Sequence, residues 1–523
     1  MDSTEISSSQ LLSILSAAFA ETDGSLEAVT ERIGVLFAGD RRGLAFAVGV
    51  AELARYGAAE WGEGDTAVEA EGEAVMASRR IIAPLFQVKM QARVDALDAS
   101  SRGECVCAGC GSAAQSQGRR TRGWVSTLGP ISLRRRYVCC DTDGCSRGEA
   151  PAQKALGLAE SDYTPRLEEV CTMMAITVPF GMATQLVGKL CGIEVSVKAV
   201  KDMTERRGES VLTLDAARTE AFAPFDERGL PVATQPRPPN AVPVEQTPAV
   251  AYLEVDGVIP ITREELTGKE LTDTERRRQR RAKKAKSQGG KGKRYRIVGR
   301  EVKNAVLYDG KNCARESVGR GCILDKTYVS FLGEWAPFAA RVWVAMLCLR
   351  FDEAKLLVVL SDGAEWVRSL VKWLPVPTLL ILDLFHVKHR VWQAAHSLYG
   401  EKSPKAAEWA RVQCDRIEAG DAKKVIQALK FLTPTRAETQ DCVRLLSLYL
   451  RNNLDRMDYP AYRARGLRIG SGAVESANFH VTGTRLKLQG MRWSAAGAAA
   501  MAGLRADLFN GQHEIRTHEI MAA

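Results

Sequence analysis

Two apolar runs of this chain each stop on an acid. LVVLSDGAEWV (357–367) opens with four apolar residues and reaches Asp362-Gly363, and PTLLILDLFH (377–386) is apolar up to Asp383. Between them WVRSLVKWL carries its apolar residues at helical spacing. Continuous short apolar runs fit strands buried on both faces, and an intervening helix suits an α/β layer. In open α/β sheets the crevice beyond the carboxyl ends of the strands is where ligands and chemistry are found. Whatever else the chain does, it has to build such a sheet and place Asp362 at its end.

The neighbouring segments extend the pattern. AVAYLEVDGVIP (249–260) reads as a strand carrying Asp256, EVKNAVLYDG (301–310) and TYVSFLG (327–333) as two more, and WAPFAARVWVAMLCLR (335–350) as a helix. Residues 387–465 are helical with no apolar strand, and RIGSGAVESAN (468–478) is a Gly-rich turn leading into helices. Three strands, a helix, a strand, a helix and a strand is the ribonuclease-H-like order. That order predicts a catalytic domain over 249–386 and 466–510, with 387–465 as an all-helical insertion. In this layout the acids of the first and fourth strands lie side by side, and Glu475 reaches the same point from its late helix.

Three converging carboxylates repel, so their pKa values rise unless a cation is present. Mg2+ (or Mn2+) suits carboxylate oxygens, and two such ions form a clamp for in-line displacement at phosphorus. Each residue also has an ordinary reading. Asp256-Gly257 fits a turn, Asp362 fits a helix N-cap, Glu475 fits a first helical turn, and His386 fits a structural histidine.

Upstream, the chain reads as modules. Residues 1–100 are helical and carry no distinctive chemistry. In 101–150, CVCAGC and CCDTDGC flank a basic segment with strand-like alternation. Cys107, Cys110, Cys139 and Cys145 are taken as a structural four-thiolate Zn2+ site, with Cys140 the alternative to Cys139. Residues 151–222 hold PFGMATQLVGKLCGIEVSVKAVKDMTERRG, a helix, a turn around Gly192 and a second helix opening near Ser196, the helix-turn-helix layout used on DNA. Residues 223–248 contain seven of the nineteen prolines and read as an extended linker.

The chain's net charge is +9, but residues 273–300 alone hold thirteen Lys and Arg against two acids, a net +11. With almost no apolar residues that stretch cannot pack a core, and a polyanion is its natural partner. Arg276, Arg277, Arg278, Arg280, Arg281, Lys283, Lys284 and Lys286 are its candidate phosphate contacts. No run of about 18 apolar residues exists to span a membrane, and the N-terminus lacks the basic start of a secretory signal. A cytosolic location is the resulting expectation, which makes disulfides an improbable use of the thirteen cysteines.

GSGAVESAN with RLKLQGMRW, SDGAEWV, ILDLFH, the VDG at 255–257 and the upstream RRRYVCCDTDGC together resemble bacterial insertion-sequence DDE transposases of the ISKra type, relatives of the Mutator-like transposases. The likeness covers residues 100–510. It implies a ribonuclease-H-like fold and DNA transposition in a bacterial cytoplasm, at the nucleoid. Asp256, Asp362 and Glu475 would be the three acids, and Asp383 and His386 would match a D-x2-H element near the active site. The zinc and helix-turn-helix modules would recognise terminal inverted repeats, and a dimer or higher oligomer would hold two DNA ends. Arg485, Lys487, Arg492 and Trp493 would lie near the cut, with Trp493 either stacking on an unpaired base or packing. The alternatives are a non-catalytic DNA-binding regulator derived from a transposase, and a hydrolytic nuclease of the same fold.

Overall fold

The computed structural model describes residues 28, 31, 41–58, 66–100, 105–107, 109–142, 144–145, 147–158, 161–232, 237–265, 295–317 and 320–513. The chain forms two compact units, 1–203 and 204–523.

In the first unit, helix α1 (Arg41–Ala58) packs against α2 (Ala67–Ser100). A capping box starts α2: Thr66 N donates to Glu69 Oε2 at 2.9 Å, and Glu69 N donates back to Thr66 Oγ1 at 3.4 Å. Beyond it comes a β-hairpin, β1 (Ala113–Ser126) and β2 (Gly129–Cys140). Its inner face buries Trp124, Ile131 and Leu133 against Val94 of α2. The edge of β2 is covered by polar side chains of the same helix. Gln87 accepts from Ser132 N (3.2 Å), Gln91 accepts from Arg134 N (2.8 Å), and Asp98 accepts from Arg136 N (2.8 Å). A stripe of α2 side chains thereby takes the place of a partner strand and satisfies backbone groups that an open edge would leave exposed.

Three helices come next: α3 (Pro165–Thr177), α4 (Phe180–Cys191) and α5 (Val197–Phe222). Gly192 ends α4 in the left-handed region (φ 59°), and Ser196 Oγ accepts from Ala199 N at the start of α5 (3.1 Å). A helix, a turn at Gly192 and a second helix thus follow one another, and the division between the two units falls inside α5.

The second unit is mixed α/β. Its strands include β3 (Val250–Val258), β4 (Ile261–Glu265), β5 (Tyr295–Gly299), β6 (Val302–Asp309), β7 (Thr327–Leu332), β8 (Leu356–Ser361) and β9 (Thr378–Leu382). Five of them form one sheet in the order β7-β6-β3-β8-β9. The first three are antiparallel, while β8 runs parallel to both β3 and β9. Alternation along β3 sorts its side chains between two cores. Ala251, Leu253 and Val255 join Val359 and Leu357 under helices α6 (Trp335–Leu349) and α7 (Glu365–Trp373). Tyr252 on the opposite face joins Val358, Leu360 and the helices of the insertion.

Those helices are α8 (Leu384–Tyr399), α9 (Pro404–Glu418), α10 (Ala422–Lys430), α11 (Ala437–Asn452) and α12 (Tyr459–Ala464). The chain then returns to the sheet through α13 (Gly472–Ala477), a π-helical turn over 478–483, and α14 (Ala495–Phe509). Asn510, just after α14, exchanges hydrogen bonds with Tyr328 N (2.8 Å) and Tyr328 O (2.9 Å) and so covers the β7 edge.

The Pro-rich segment, expected as an extended linker, has the extended backbone that its prolines impose, and its described part is strapped onto the second unit. Arg237 forms a two-pronged pair with Asp352 (2.8 and 2.7 Å) and also donates to Leu347 O (3.1 Å). Val242 N donates to Cys348 O (2.8 Å), and Arg350 Nε donates to Val242 O (2.7 Å). Proline content reports stiffness, and these partners, a hundred residues away, are invisible in local composition. Among the described residues no helix is long and apolar enough to cross a membrane.

The strap gives a direct test. Arg237→Ala leaves Asp352 without its partner and takes one donor from Leu347 O, so chemical denaturation should show a loss of about 1–3 kcal/mol. A change within error would mean that the strap is held by its other contacts.

Candidate metal centres

The first centre is the thiolate cluster. Cys107, Cys110, Cys140 and Cys145 bring their sulfurs within 4.8 Å of one another. Cys107 and Cys145 are 3.7 Å apart, and Cys110 and Cys140 are 3.4 Å apart. Tetrahedral zinc with bonds of about 2.3 Å separates its sulfurs by about 3.8 Å, so the four residues fit the ion. Gly109 N donates to Cys107 Sγ (3.4 Å), and hydrogen bonds from Ser112 pull the Cys110 thiol down to about 6. Both features favour the thiolate form that zinc needs.

The fourth thiol of the group is Cys140, the alternative that the sequence left open, in place of Cys139. Successive residues of β2 point to opposite faces, so only one of the adjacent pair can face the cluster. Cys140 lies on the same side of the strand as buried Val138 and meets Cys110, while the adjacent Cys139 is half-buried and outside the group.

The second centre lies at the end of the five-stranded sheet. Ser361, the last residue of β8, pairs with Val255 of β3, so the next residues, Asp362 and Asp256, are neighbours on parallel strands. Asp362 leaves its strand through Gly363, whose φ of 95° suits only glycine, and a Cβ there would sit 2.9 Å from Leu382. Tyr449 Oη, from the helical insertion, donates to Asp362 O (2.8 Å) and holds the turn. Asp256 is mostly buried. Burial, then hydrogen bonding opposed by the charge of Asp362, sets its carboxyl at about 6, well above the ordinary carboxylate value.

His386 brings Asp383 and Glu475 together. Its Nδ1 is 3.5 Å from Asp383 Oδ2 and 3.6 Å from Glu475 Oε1. The Asp383 carboxylate beside it, and then the nearby charges of Glu475 and Asp362, hold it above the ordinary imidazole value. Asp383, His386 and Glu475 place ligand atoms close enough to share a metal ion. Glu475 is half-exposed on the first turn of α13, and burial, then Asp383, pushes its carboxyl up.

Asp383 has a further duty. Fully buried, it caps α8 by accepting from Phe385 N and His386 N (3.2 Å), and it accepts from Ser471 N (2.8 Å) and Ser471 Oγ. Burial alone would raise its pKa, but these donors hold it below the ordinary value. Through these bonds Asp383 ties the start of α8 to the returning chain.

Two polar residues of the site escaped sequence reasoning. Asn478 Nδ2 donates to Asp256 Oδ2 (2.5 Å). Asn304, the β6 residue paired with Asp256, donates to Asn478 Oδ1 (2.7 Å) and accepts from Ser330 Oγ (2.6 Å). The chain Ser330–Asn304–Asn478–Asp256 fixes the first acid from behind. The only trace in the sequence is Asn304 inside an apolar strand, where a polar residue has to find a partner.

The expected DNA contacts divide. Lys487 and Arg492 are exposed. Arg485 and Trp493 are buried, and the expectation that they meet DNA is corrected. Arg485 has no exposed surface, and its guanidinium lies 4.9 Å from the centre of the Trp493 ring. Trp493 N donates to Ile261 O (3.1 Å) and its carbonyl accepts from Arg263 N (2.7 Å), which ties the β4–β5 ribbon to this segment. The π-helical turn at 478–483 shifts the helical phase, so a simple 3.6-residue period puts Arg485 on the wrong face. Arg276, Arg277, Arg278, Arg280, Arg281, Lys283, Lys284 and Lys286 lie outside the described residues.

Residues 343–521 match an uncharacterised protein family, UPF0236, associated with transposase-like proteins. The matched stretch contains Asp362, Asp383, His386 and Glu475, and it excludes Asp256 and the thiolate cluster. A comparison with curated proteins gives no match.

Two measurements check these centres. Zinc analysis of purified protein should find one ion per chain in wild type and Cys139→Ser, and a clear loss in Cys140→Ser; equal retention by both variants would remove Cys140 from the site. The second concerns pH. A carboxyl raised to about 6 contributes stability that is present below its unfolded value and lost as pH rises through 6. In cation-free protein Asp256→Asn should therefore stabilise the fold by about 1–2 kcal/mol at pH 7.5 and by little at pH 4. Thermal unfolding at the two pH values reads the difference, and an equal effect at both would mean that Asp256 is not strained.

Proposed function

We propose that the protein is a DDE-type transposase that cleaves DNA at element ends and joins the 3′-hydroxyls to target DNA by divalent-metal-dependent phosphoryl transfer. The observation that carries this reading is that Asp256 and Asp362, neighbours on parallel strands, both feel the charge of His386, which contacts Glu475 from a helix more than a hundred residues further on. The strand order β7-β6-β3-β8-β9, with a helical insertion before the third acid, is what the ribonuclease-H-like layout requires. The family match over 343–521 and the resemblance to ISKra-type transposases point the same way.

In this reading Asp256, Asp362 and Glu475 hold Mg2+ or Mn2+, which supplies Lewis-acid stabilisation of charge on the attacking and leaving oxygens. His386 sets the position of Glu475, and Asn478 sets that of Asp256. The zinc-bearing hairpin and the α4–α5 pair belong to recognition of the terminal repeats, and the +11 segment binds phosphates without sequence preference. Lys487 and Arg492, both exposed, add phosphate contacts. Two DNA ends held together require a dimer or larger assembly on DNA.

The test uses end-containing DNA with Mg2+ or Mn2+. Wild type should nick at the ends and join them to a target, and Asp362→Asn should lose activity on the order of 10³-fold while still binding DNA. Uncut DNA with wild type, unchanged by Asp362→Asn, would assign the chain to regulation. Cutting without joining would make it a nuclease.

A further inference from the structure

Glu254 is the most deeply buried acid of the catalytic sheet, with no exposed surface, in the middle of an apolar strand. It lies two residues before Asp256 on β3, so both side chains leave the same face. Its oxygens are all engaged. Oε1 accepts from Tyr308 Oη (2.6 Å), and Oε2 accepts from Ala473 N (2.8 Å) and Val474 N (3.0 Å). Ala473 and Val474 open α13, and the next residue is Glu475. The charge of Arg468, in the turn just before, also favours the carboxylate against the burial that pushes its pKa up.

A buried carboxyl is expensive, and an apolar residue would suit this strand position better unless those hydrogen bonds are needed. Helix α13 has six residues and cannot hold itself by its own backbone bonds. Its first turn is fastened to the strand that bears Asp256 across more than two hundred residues of sequence. We infer that Glu254 is a positioning residue: it locks the helix start that carries Glu475 to the strand that carries Asp256, and so sets the affinity of the acid centre for a divalent cation. This rests on the reading of Asp256, Asp362 and Glu475 as cation ligands. Glu254 itself has no free oxygen and touches neither cation nor DNA in this scheme.

The test is Mn2+ binding by calorimetry to full-length protein, with zinc content and thermal unfolding confirming that each variant is folded. Glu254→Ala should weaken Mn2+ binding by about tenfold or more, and Glu254→Gln, whose oxygen still accepts from Ala473 and Val474, should stay within about threefold of wild type. The decisive arm is a double-mutant cycle. In a Glu475→Ala background, Glu254→Ala should produce no further loss, because the ligand it positions is gone. An equal loss in both backgrounds would make Glu254 a general structural residue and overturn the inference. Should Glu254→Ala fail to fold, Tyr308→Phe, which frees the clamp on one side only, runs the same cycle with an expected loss of about threefold. Absence of Mn2+ binding by wild type would instead defeat the reading of the acid centre and this inference with it. Normal wild-type binding with no effect of any Glu254 or Tyr308 variant would defeat this inference alone.

Discussion

The second unit depends on how the chain re-enters its sheet after the helical insertion. Residues 468–474 are gripped at five points by the strands they return to. Arg468 N donates to Tyr252 Oη (3.2 Å), and Ile469 O accepts from Leu384 N (3.0 Å). Ser471 binds Asp383, and Ala473 and Val474 bind Glu254. Two buried carboxylates, one in the first strand and one just past the last, thus take hold of one short turn. Backbone N–H groups are fixed donors of fixed direction, so acids are suited to catching a segment that arrives from far away in sequence. Without that grip the insertion would have no defined exit, and Glu475 would have no defined address.

Much of this was legible beforehand, for a physical reason. Strands buried on both faces have to be continuously apolar, so LLVVL and TLLIL announced themselves, and an acid at the end of each could only lie at the sheet's carboxyl edge. The C-x2-C knuckle was equally clear, because two thiols so spaced reach one ion. Choosing between Cys139 and Cys140 needed the register of β2, which no composition supplies. Glu254 and Asn478 were missed because their meaning lies in partners more than two hundred residues distant. Arg485 and Trp493 were misread because a basic, aromatic run looks like a surface for polyanions, and only packing reveals an arginine stacked on a tryptophan in the interior.

The site also shows how an acid can be made both costly and useful. Asp256 is mostly withdrawn from water, pressed against the charge of Asp362, and steadied by one amide that is itself steadied by two more residues. Such a carboxyl gains more from a bound cation than a solvated one would, since the cation removes the repulsion and replaces the lost hydration. The asparagine relay prevents the easier escape, rotation of the side chain toward solvent.

The position of α14 has a bearing on how the molecule comes into being. That helix is buried along nearly its whole length and is rich in alanine and glycine, so closely set that a Cβ on Gly208 would fall 2.4 Å from that of Ala500. Its residues leave the ribosome well after those of the sheet. A growing polypeptide therefore exposes Asp256 and Asp362 long before Glu475 and the helix that closes the unit behind it. During synthesis the aspartate pair at the sheet edge is made before His386 can meet Glu475, a contact deferred until translation of this region is over.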